Sequence, residues 1–168
     1  PACTKPLVAA VAGPAVGVGT TMLLHCDLVY AADNARFALP FSQLGLCPEA
    51  ASSLLLPMIV GHQRAAEKLL LGEPFGADEA REMGLVNRIL PAAETIGYAL
   101  AQAAKLAQLP VSSLRATKRL MKAGLGASIT QRMHDEGDEF RAMLTAPAAR
   151  EAFSAFLEKR KPDFTKAG

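Results

Sequence analysis

Cysteine is scarce in this sequence: its 168 residues include only Cys3, Cys26 and Cys47, and no two of them have CxxC spacing. A disulfide scaffold needs a paired framework of cysteines, and a structural zinc site needs clustered ligands, so the spacing argues against both. The three cysteines have mostly apolar neighbours. We therefore predict buried thiols in a reducing compartment, and we expect a cytoplasmic protein.

Other catalytic and ligand-binding patterns are missing as well. His25, His62 and His134 are far apart, and none has a second histidine, cysteine or carboxylate at ligand spacing, so we predict no metal site. We interpret His25 as a core histidine. The nucleophile elbow GxSxG is absent, which argues against a serine hydrolase.

A strong charge excess and a long apolar run are also missing. The net charge is +2, with 18 Lys and Arg scattered among 16 Asp and Glu, which argues against a nucleic-acid partner but is compatible with a small polyanionic ligand. No apolar run approaches the roughly 20 residues of a spanning helix, and PACTKPLVAAV does not resemble a signal peptide. We expect neither membrane insertion nor export.

What the sequence does contain is an α/β pattern with one hydrophobic core, since 51% of its residues are hydrophobic. A fully buried strand is predicted over residues 5–13, a glycine turn over 17–20, a buried helix over 21–27, and strands over 28–31 and 36–39. Glycines and prolines then divide the rest into seven predicted helices: about 49–60, 62–71, 77–83, 92–108, 112–123, 127–144 and 148–160.

Two or three strands cannot form a complete sheet, because one hydrophobic face would lack a partner. We therefore expect the chain to be the C-terminal part of a larger fold.

The turn Gly17-Val18-Gly19-Thr20 precedes a predicted helix, where backbone N–H groups favour a negative oxygen. It lacks the third glycine of a dinucleotide fingerprint and the lysine of a P-loop, so neither nucleotide motif is present. From the residues alone, an anion site and a merely tight strand-to-helix connection both remain open.

Glu49 is a single carboxylate in the apolar and small-residue stretch PEAASSL. Such surroundings favour a general base with a raised pKa. The alternative is ordinary helix-start chemistry, with Pro48 at the first helical position and an acid in the first turn. The residues alone leave both interpretations open.

Two charged stretches near the C-terminus, residues 135–139 and 158–161, are most simply solvated helix faces. Phe153 and Phe156 precede the second stretch, so an aromatic face beside Lys159 is also suited to a phosphorylated adenosine group.

The run KPLVAAVAGPAVGVGTTMLLHCDLVYAADNARFALPFSQLGLCPEAASSLLLP resembles the middle of the crotonase superfamily, the enoyl-CoA hydratases and isomerases. LLLGEPFGADEAREMGLVNRILP and AFLEKRKPDF are similar to later signatures of that superfamily. The resemblance implies the C-terminal part of a crotonase-like core of ββα repeats over residues 1–90, followed by a helical trimerisation module over 91–168.

The resemblance also implies roles for individual residues. The backbone N–H of Val18, flanked by Gly17 and Gly19, supplies half of an oxyanion hole for the thioester carbonyl, and the other half belongs to a segment before Pro1. Phe156 and Lys159 contact the CoA adenosine group. The 168 residues alone are therefore expected to be inactive.

Thr21 and Phe41 occupy the two places where hydratases of the family carry glutamates, which leaves no obvious group to activate water. Phe41 would also line and dry the substrate pocket. The segment PFSQLGLCPE is instead similar to peroxisomal-type enoyl-CoA isomerases and their bacterial relatives, in which the glutamate of the Pro-Glu pair is the catalytic acid and base. The sequence thus favours an isomerase with Glu49 as its proton shuttle.

Two alternatives stay open, an enoyl-CoA hydratase and a non-catalytic acyl-CoA-binding or assembly subunit. The resemblance implies a CoA thioester as substrate without a further cofactor, and a homotrimer or a dimer of trimers.

Overall fold

The computed structural model describes residues 3–166, and its strands form two small sheets. The first sheet is parallel throughout and has the order β1-β3-β6: β1 (Val8–Val11), β3 (Leu28–Ala32) and β6 (Arg88–Leu90). The second sheet has the order β2-β4-β5: β2 (Pro14–Val16), β4 (Arg36–Ala38) and β5 (Phe75–Gly76). The central strand β4 pairs parallel with β2 and antiparallel with β5.

The chain visits the two sheets in turn. β1 enters the first sheet and β2 the second, and α1 (Val18–Thr21) follows, continued by a 3-10 helix over Met22–His25. β3 and β4 repeat this order before the chain becomes helical. The order strand, strand, helix confirms the predicted ββα organisation.

Each of the seven predicted helices has a counterpart in the structure. The helices are α2 (Ser52–Val60), α3 (His62–Ala66) continued by a π-helical turn (Glu67–Leu71), α4 (Ala77–Glu82), α5 (Ala92–Ala107), α6 (Val111–Met121), α7 (Gly126–Leu144) and α8 (Pro147–Leu157). Short 3-10 helices cover Ser42–Leu44 and Phe164–Lys166. Glycine and proline therefore predicted the helical segmentation correctly.

Two predictions of complete burial in the N-terminal part are wrong. Ala10 in β1 is exposed, and among the described residues β1 lies at one edge of its sheet. The helix predicted over 21–27 begins earlier, at Val18, and ends at His25, and Met22 within it is 54% exposed. The apolar run over 22–24 therefore did not indicate burial on all sides.

The three cysteines are free thiols, but they are less buried than predicted. Cys3 is exposed, whereas Cys26 and Cys47 are half-buried. Burial raises the pKa of the Cys26 thiol, with a further contribution from the Asp27 carboxylate, and burial also raises the pKa of the Cys47 thiol. Both side chains are therefore neutral thiols near neutral pH.

The main hydrophobic core combines residues from both sheets with residues of helices α2, α3 and α4. Phe37 is fully buried and stacks on Phe75, with 5.5 Å between the ring centroids. A second, smaller cluster joins α5 to the first sheet through an edge-to-face contact between Tyr98 and Tyr30.

The division of the chain into a core part over 1–90 and a helical module over 91–168 stays a prediction. Residues 1–2 and 167–168 of these two ranges lie outside the described residues.

A buried ion pair attaches α6 to the start of the chain. Lys118 Nζ lies 2.6 Å from Asp27 Oδ2 and donates to the Lys5 carbonyl at 2.7 Å. Asp27 Oδ2 also accepts the Leu7 N–H at 2.7 Å. These contacts fix the loop between α1 and β3, which follows the glycine turn.

Candidate active site

The glycine turn is a tight connection between β2 and α1. Gly17 has a φ of 55° and a ψ of −118°, a backbone conformation that side chains disfavour. Its N–H donates to the Ala38 carbonyl at 3.0 Å, and its carbonyl accepts the N–H groups of Thr20 at 2.9 Å and Thr21 at 3.0 Å. Gly17 is thus fixed on both sides.

Val18 is the first residue of α1, so its N–H has no acceptor within the helix. Its side chain is 65% exposed. At Gly19, by contrast, a Cβ would meet the Cβ of Ala15 at 3.7 Å, an ordinary packing distance. The turn therefore requires glycine at position 17 and does not require it for space at position 19.

Thr21, one helical turn after Val18 in α1, links this part of the chain to Glu49. The Thr21 hydroxyl donates to Glu49 Oε1 at 2.5 Å. Thr21 is completely buried, whereas Glu49 is half-buried, so an interior hydroxyl holds a carboxylate that reaches the surface. This bond joins the glycine turn and the PEAASSL segment, which are predicted separately from the sequence.

The helix-start interpretation of Glu49 is wrong. α2 begins at Ser52, and Ala50 and Ala51 both have left-handed backbones, with φ of 59° and 58°. Such conformations are uncommon for residues other than glycine and are a recurrent feature of functional sites. Glu49 thus lies on a strained turn before the helix and not in its first turn.

Two side chains from other elements hold this turn. His25 Nε2 lies 2.7 Å from the Ala50 carbonyl, which only accepts, so the ring donates there. On α7, Glu136 accepts the Ala51 N–H at 2.5 Å. Asp135, Asp138 and Glu139 are exposed as expected for a solvated face, but Glu136 departs from that expectation because it is only 6% exposed. His25, interpreted from the sequence as a core histidine, is half-buried and holds the Ala50 carbonyl.

A surface cleft of about 410 Å³ opens beside the carboxylate. It is lined by Glu49 and by residues of α7: Met133, His134, Gly137, Phe140 and Arg141. A ligand in this cleft would therefore meet Glu49 directly. Within residues 3–166, no three His, Cys, Asp or Glu side chains are grouped as metal ligands, and every helix is too short or too polar to cross a bilayer.

The sequence profile described as enoyl-CoA hydratase/isomerase matches residues 1–167. The chain belongs to the enoyl-CoA hydratase/isomerase family. 2,3-Dehydroadipyl-CoA hydratase of Escherichia coli (strain K12) is 37% identical over 163 residues, which make up 97% of this chain and 64% of that protein. Enoyl-CoA delta isomerase 2 of Rattus norvegicus is 38% identical over 158 residues, or 94% of this chain and 40% of that protein.

Solved structures of the family share the fold. The crystal structure of an enoyl-CoA hydratase/isomerase from Pseudoalteromonas atlantica T6c matches with a TM-score of 0.94 at 44% identity, covering 97% of this chain and 66% of that chain. The crotonase fold predicted from the motifs is therefore confirmed. The chain spans less than two thirds of the length of these relatives, and relatives at similar identity include both hydratases and isomerases.

Phe41 and Thr21, at the two positions where family hydratases are expected to carry glutamates, are both in the interior. Phe41 is 5% exposed and belongs to the main core, and Thr21 is fully buried. The role of Phe41 in substrate binding stays a prediction, as do those of Gly17 and Gly19.

Phe156 and Lys159 lie at the C-terminal end of α8. Phe156 is 78% exposed, and Lys159 follows the helix with a left-handed φ of 56°. The start of α8, at Ala148, approaches Gly45 in the loop before Glu49. Eight residues of helix, about 12 Å, separate Phe156 from Ala148. Contact of these two residues with CoA stays a prediction.

Proposed function

We propose that the full-length protein is an enoyl-CoA isomerase that moves a double bond from position 3 to position 2 of an acyl-CoA. The observation that carries this proposal is the hydrogen bond between Thr21 and Glu49. A hydroxyl donor stands where a hydratase would place a second carboxylate, and the other such place is taken by a buried phenylalanine. One carboxylate is sufficient for a 3-to-2 isomerisation but gives no pair for adding water.

The proposed reaction is a proton transfer between two carbons of the acyl chain. Glu49 removes a proton from C2 of the 3-enoyl thioester, and the electrons of that C–H bond form a dienolate with negative charge on the thioester oxygen. The Val18 N–H stabilises this oxygen together with a second donor, which the resemblance assigns to a segment before Pro1. Glu49 then returns the proton to C4, which leaves the double bond at position 2.

Thr21 contributes by holding one oxygen of the carboxylate. Because Glu49 Oε1 accepts the Thr21 hydroxyl, we assign the proton transfer to Oε2.

The CoA thioester is the substrate, and this proton transfer balances without a further cofactor. We also propose a cytoplasmic location and a trimer or a dimer of trimers.

A hydratase is the second candidate, favoured by the 37% identity to 2,3-dehydroadipyl-CoA hydratase. A non-catalytic acyl-CoA-binding or assembly subunit is the third. It predicts CoA binding by the full-length protein without turnover.

The test follows conversion of a 3-enoyl-CoA by the full-length protein, with hydration of the 2-enoyl product measured in the same sample. We expect isomerisation without comparable hydration. Glu49→Gln should lower kcat by about 100-fold or more, since positioned acid–base groups contribute about 10²–10⁴. The exposed Glu94→Gln on α5 is the control and should retain wild-type turnover.

Each other outcome changes the assignment. Normal isomerisation by Glu49→Gln would remove Glu49 from the mechanism. Hydration at a rate comparable to isomerisation would favour the hydratase, and binding without either reaction would favour the non-catalytic subunit.

A further inference from the structure

We propose that Glu136 of α7 is a positioning residue for the active site: its buried carboxylate holds the left-handed turn at Ala50 and Ala51 and thereby fixes Glu49 against Thr21. This inference rests on the proposed role of Glu49 in proton transfer.

Both oxygens of Glu136 are used in holding this turn. Oε2 accepts the Ala51 N–H at 2.5 Å, while Oε1 accepts the Ser53 N–H at 2.9 Å and the Ser53 hydroxyl at 2.6 Å. The Ser53 hydroxyl in turn accepts a hydrogen bond from Arg132 Nη1 at 2.9 Å. Arg132 precedes Glu136 by one turn of α7, so both side chains lie on the same helix face.

These bonds replace a cap that the start of α2 lacks. Ala51 is the residue before the helix, and its methyl group cannot accept the first N–H groups as a Ser or Asp side chain would. Glu136, 83 and 85 residues away, accepts the N–H of Ser53 in the first turn and also the N–H of Ala51 itself. A buried carboxylate is unfavourable unless hydrogen-bonded, and these donors offset its burial.

The turn needs an external restraint because two consecutive alanines adopt a backbone conformation that L-residues disfavour. His25 holds the Ala50 carbonyl at 2.7 Å and Glu136 holds the Ala51 N–H, so the turn is fixed from two elements. Glu49 is the preceding residue. If Glu136 released Ala51, the turn would relax towards common conformations and displace the Glu49 carboxylate from Thr21.

The test compares Glu136→Gln with Glu139→Gln, an exposed glutamate one turn along the same helix. A glutamine retains one acceptor oxygen, so its NH₂ group must face the N–H of either Ala51 or Ser53 and one of these two hydrogen bonds is lost. We expect Glu136→Gln to lower kcat by about 10- to 100-fold, the effect of a small misplacement of a reacting group, with KM changed less than about twofold. Glu139→Gln should leave both values at the wild-type level.

A rescue variant separates positioning from general stability. Glycine adopts left-handed conformations without a steric cost, so Ala51→Gly removes the need for an external restraint. In the Glu136→Gln protein, Ala51→Gly should recover about fivefold or more of the lost kcat. Wild-type kcat in Glu136→Gln, or a loss that Ala51→Gly leaves unchanged, would overturn the inference.

A crystal structure of the Glu136→Gln protein tests the inference independently of which reaction is catalysed. We expect the bond between Thr21 and Glu49 to be broken and Glu49 to be displaced. A turn and a Thr21–Glu49 bond identical to those of the wild type would overturn the inference, even if the full-length protein is a confirmed isomerase. Failure of the wild type to isomerise would instead count against the proposed function alone.

Discussion

At the scale of single residues, the character of the site depends on which side chain faces Glu49 from the glycine turn. Thr21 is fully buried and donates its hydroxyl to Glu49 Oε1, so it orients the carboxylate without adding a charge. A glutamate at this position would instead place a second carboxylate beside the first, where like charges raise one pKa. In the proposed mechanism, position 21 is therefore where isomerase and hydratase chemistry would diverge.

Replacing Thr21 with the similarly shaped valine should slow isomerisation. Thr21→Val removes the donor without changing the buried volume, and a hydrogen bond to a charged group contributes about 1.5–3 kcal/mol, so we expect kcat to fall at least about tenfold. Thr21→Ser, which retains the hydroxyl, should stay within about threefold of the wild type. Steady-state kinetics on a 3-enoyl-CoA measures both, and equal rates for Val and Thr would contradict a role for the bond.

The sequence identifies Glu49 but not the residues that hold it. Glu49 is conspicuous because it is the single acid in a stretch of small and apolar residues. Its position before the helix could not be predicted, since no glycine or asparagine marks the left-handed backbones at Ala50 and Ala51. Glu136 was missed because it lies among other acids, and the partners that bury it are 83 and 85 residues away.

At the scale of elements, α8 packs directly on the loop that leads to Glu49. Gly45 ends the 3-10 helix with a φ of 66°, and a Cβ there would lie 2.8 Å from backbone atoms of Ala148 and Ala149. Backbone atoms at the start of a helix cannot move aside without displacing the helix. Gly45 is therefore required both for its conformation and for the close approach of α8.

Gly45→Ala should destabilise the protein substantially. Overpacking and a left-handed alanine act together, and we expect a loss of at least about 2 kcal/mol in unfolding free energy. The control is Gly97→Ala, at an exposed position inside α5 with no atom within 4 Å of the added Cβ. That change should stabilise by about 0.5–1 kcal/mol, because alanine favours helix over glycine. Denaturant unfolding distinguishes them, and a wild-type midpoint for Gly45→Ala would disprove the close approach.

Helices were easier to predict than strands for a physical reason. A long helical segment between glycine or proline residues contains many residues that favour helix, and each of the seven predicted helices has a counterpart in the structure. β4, which has only three residues, was predicted from the turn residues before it and the proline after it. β2 and β6 contain three residues each and β5 only two, too few to show an alternating pattern. Their positions are set by backbone pairing with β3 and β4, which is not visible in the local sequence.

At the scale of the whole molecule, the C-terminal helices leave much apolar surface uncovered. The side chains of Leu120 and Met121 at the end of α6 are 68% and 71% exposed, and those of Phe156 and Leu157 at the end of α8 are 78% and 80% exposed. Single exposed apolar residues are ordinary, but adjacent pairs at two helix ends are typical of surfaces that contact other protein. The predicted trimer offers such a contact.

The full-length protein should therefore sediment at three or six times its chain mass. A symmetric oligomer repeats each contact, so one charge introduced into the interface is present at every copy of it. We expect Leu157→Glu to shift the mass towards the monomer in analytical ultracentrifugation. Leu100→Glu, at a position on α5 that is 65% exposed compared with 80% for Leu157, should leave the assembly intact. A monomeric wild type at micromolar concentration would contradict the trimer. If Leu157→Glu stayed trimeric, the interface would have to lie away from the end of α8.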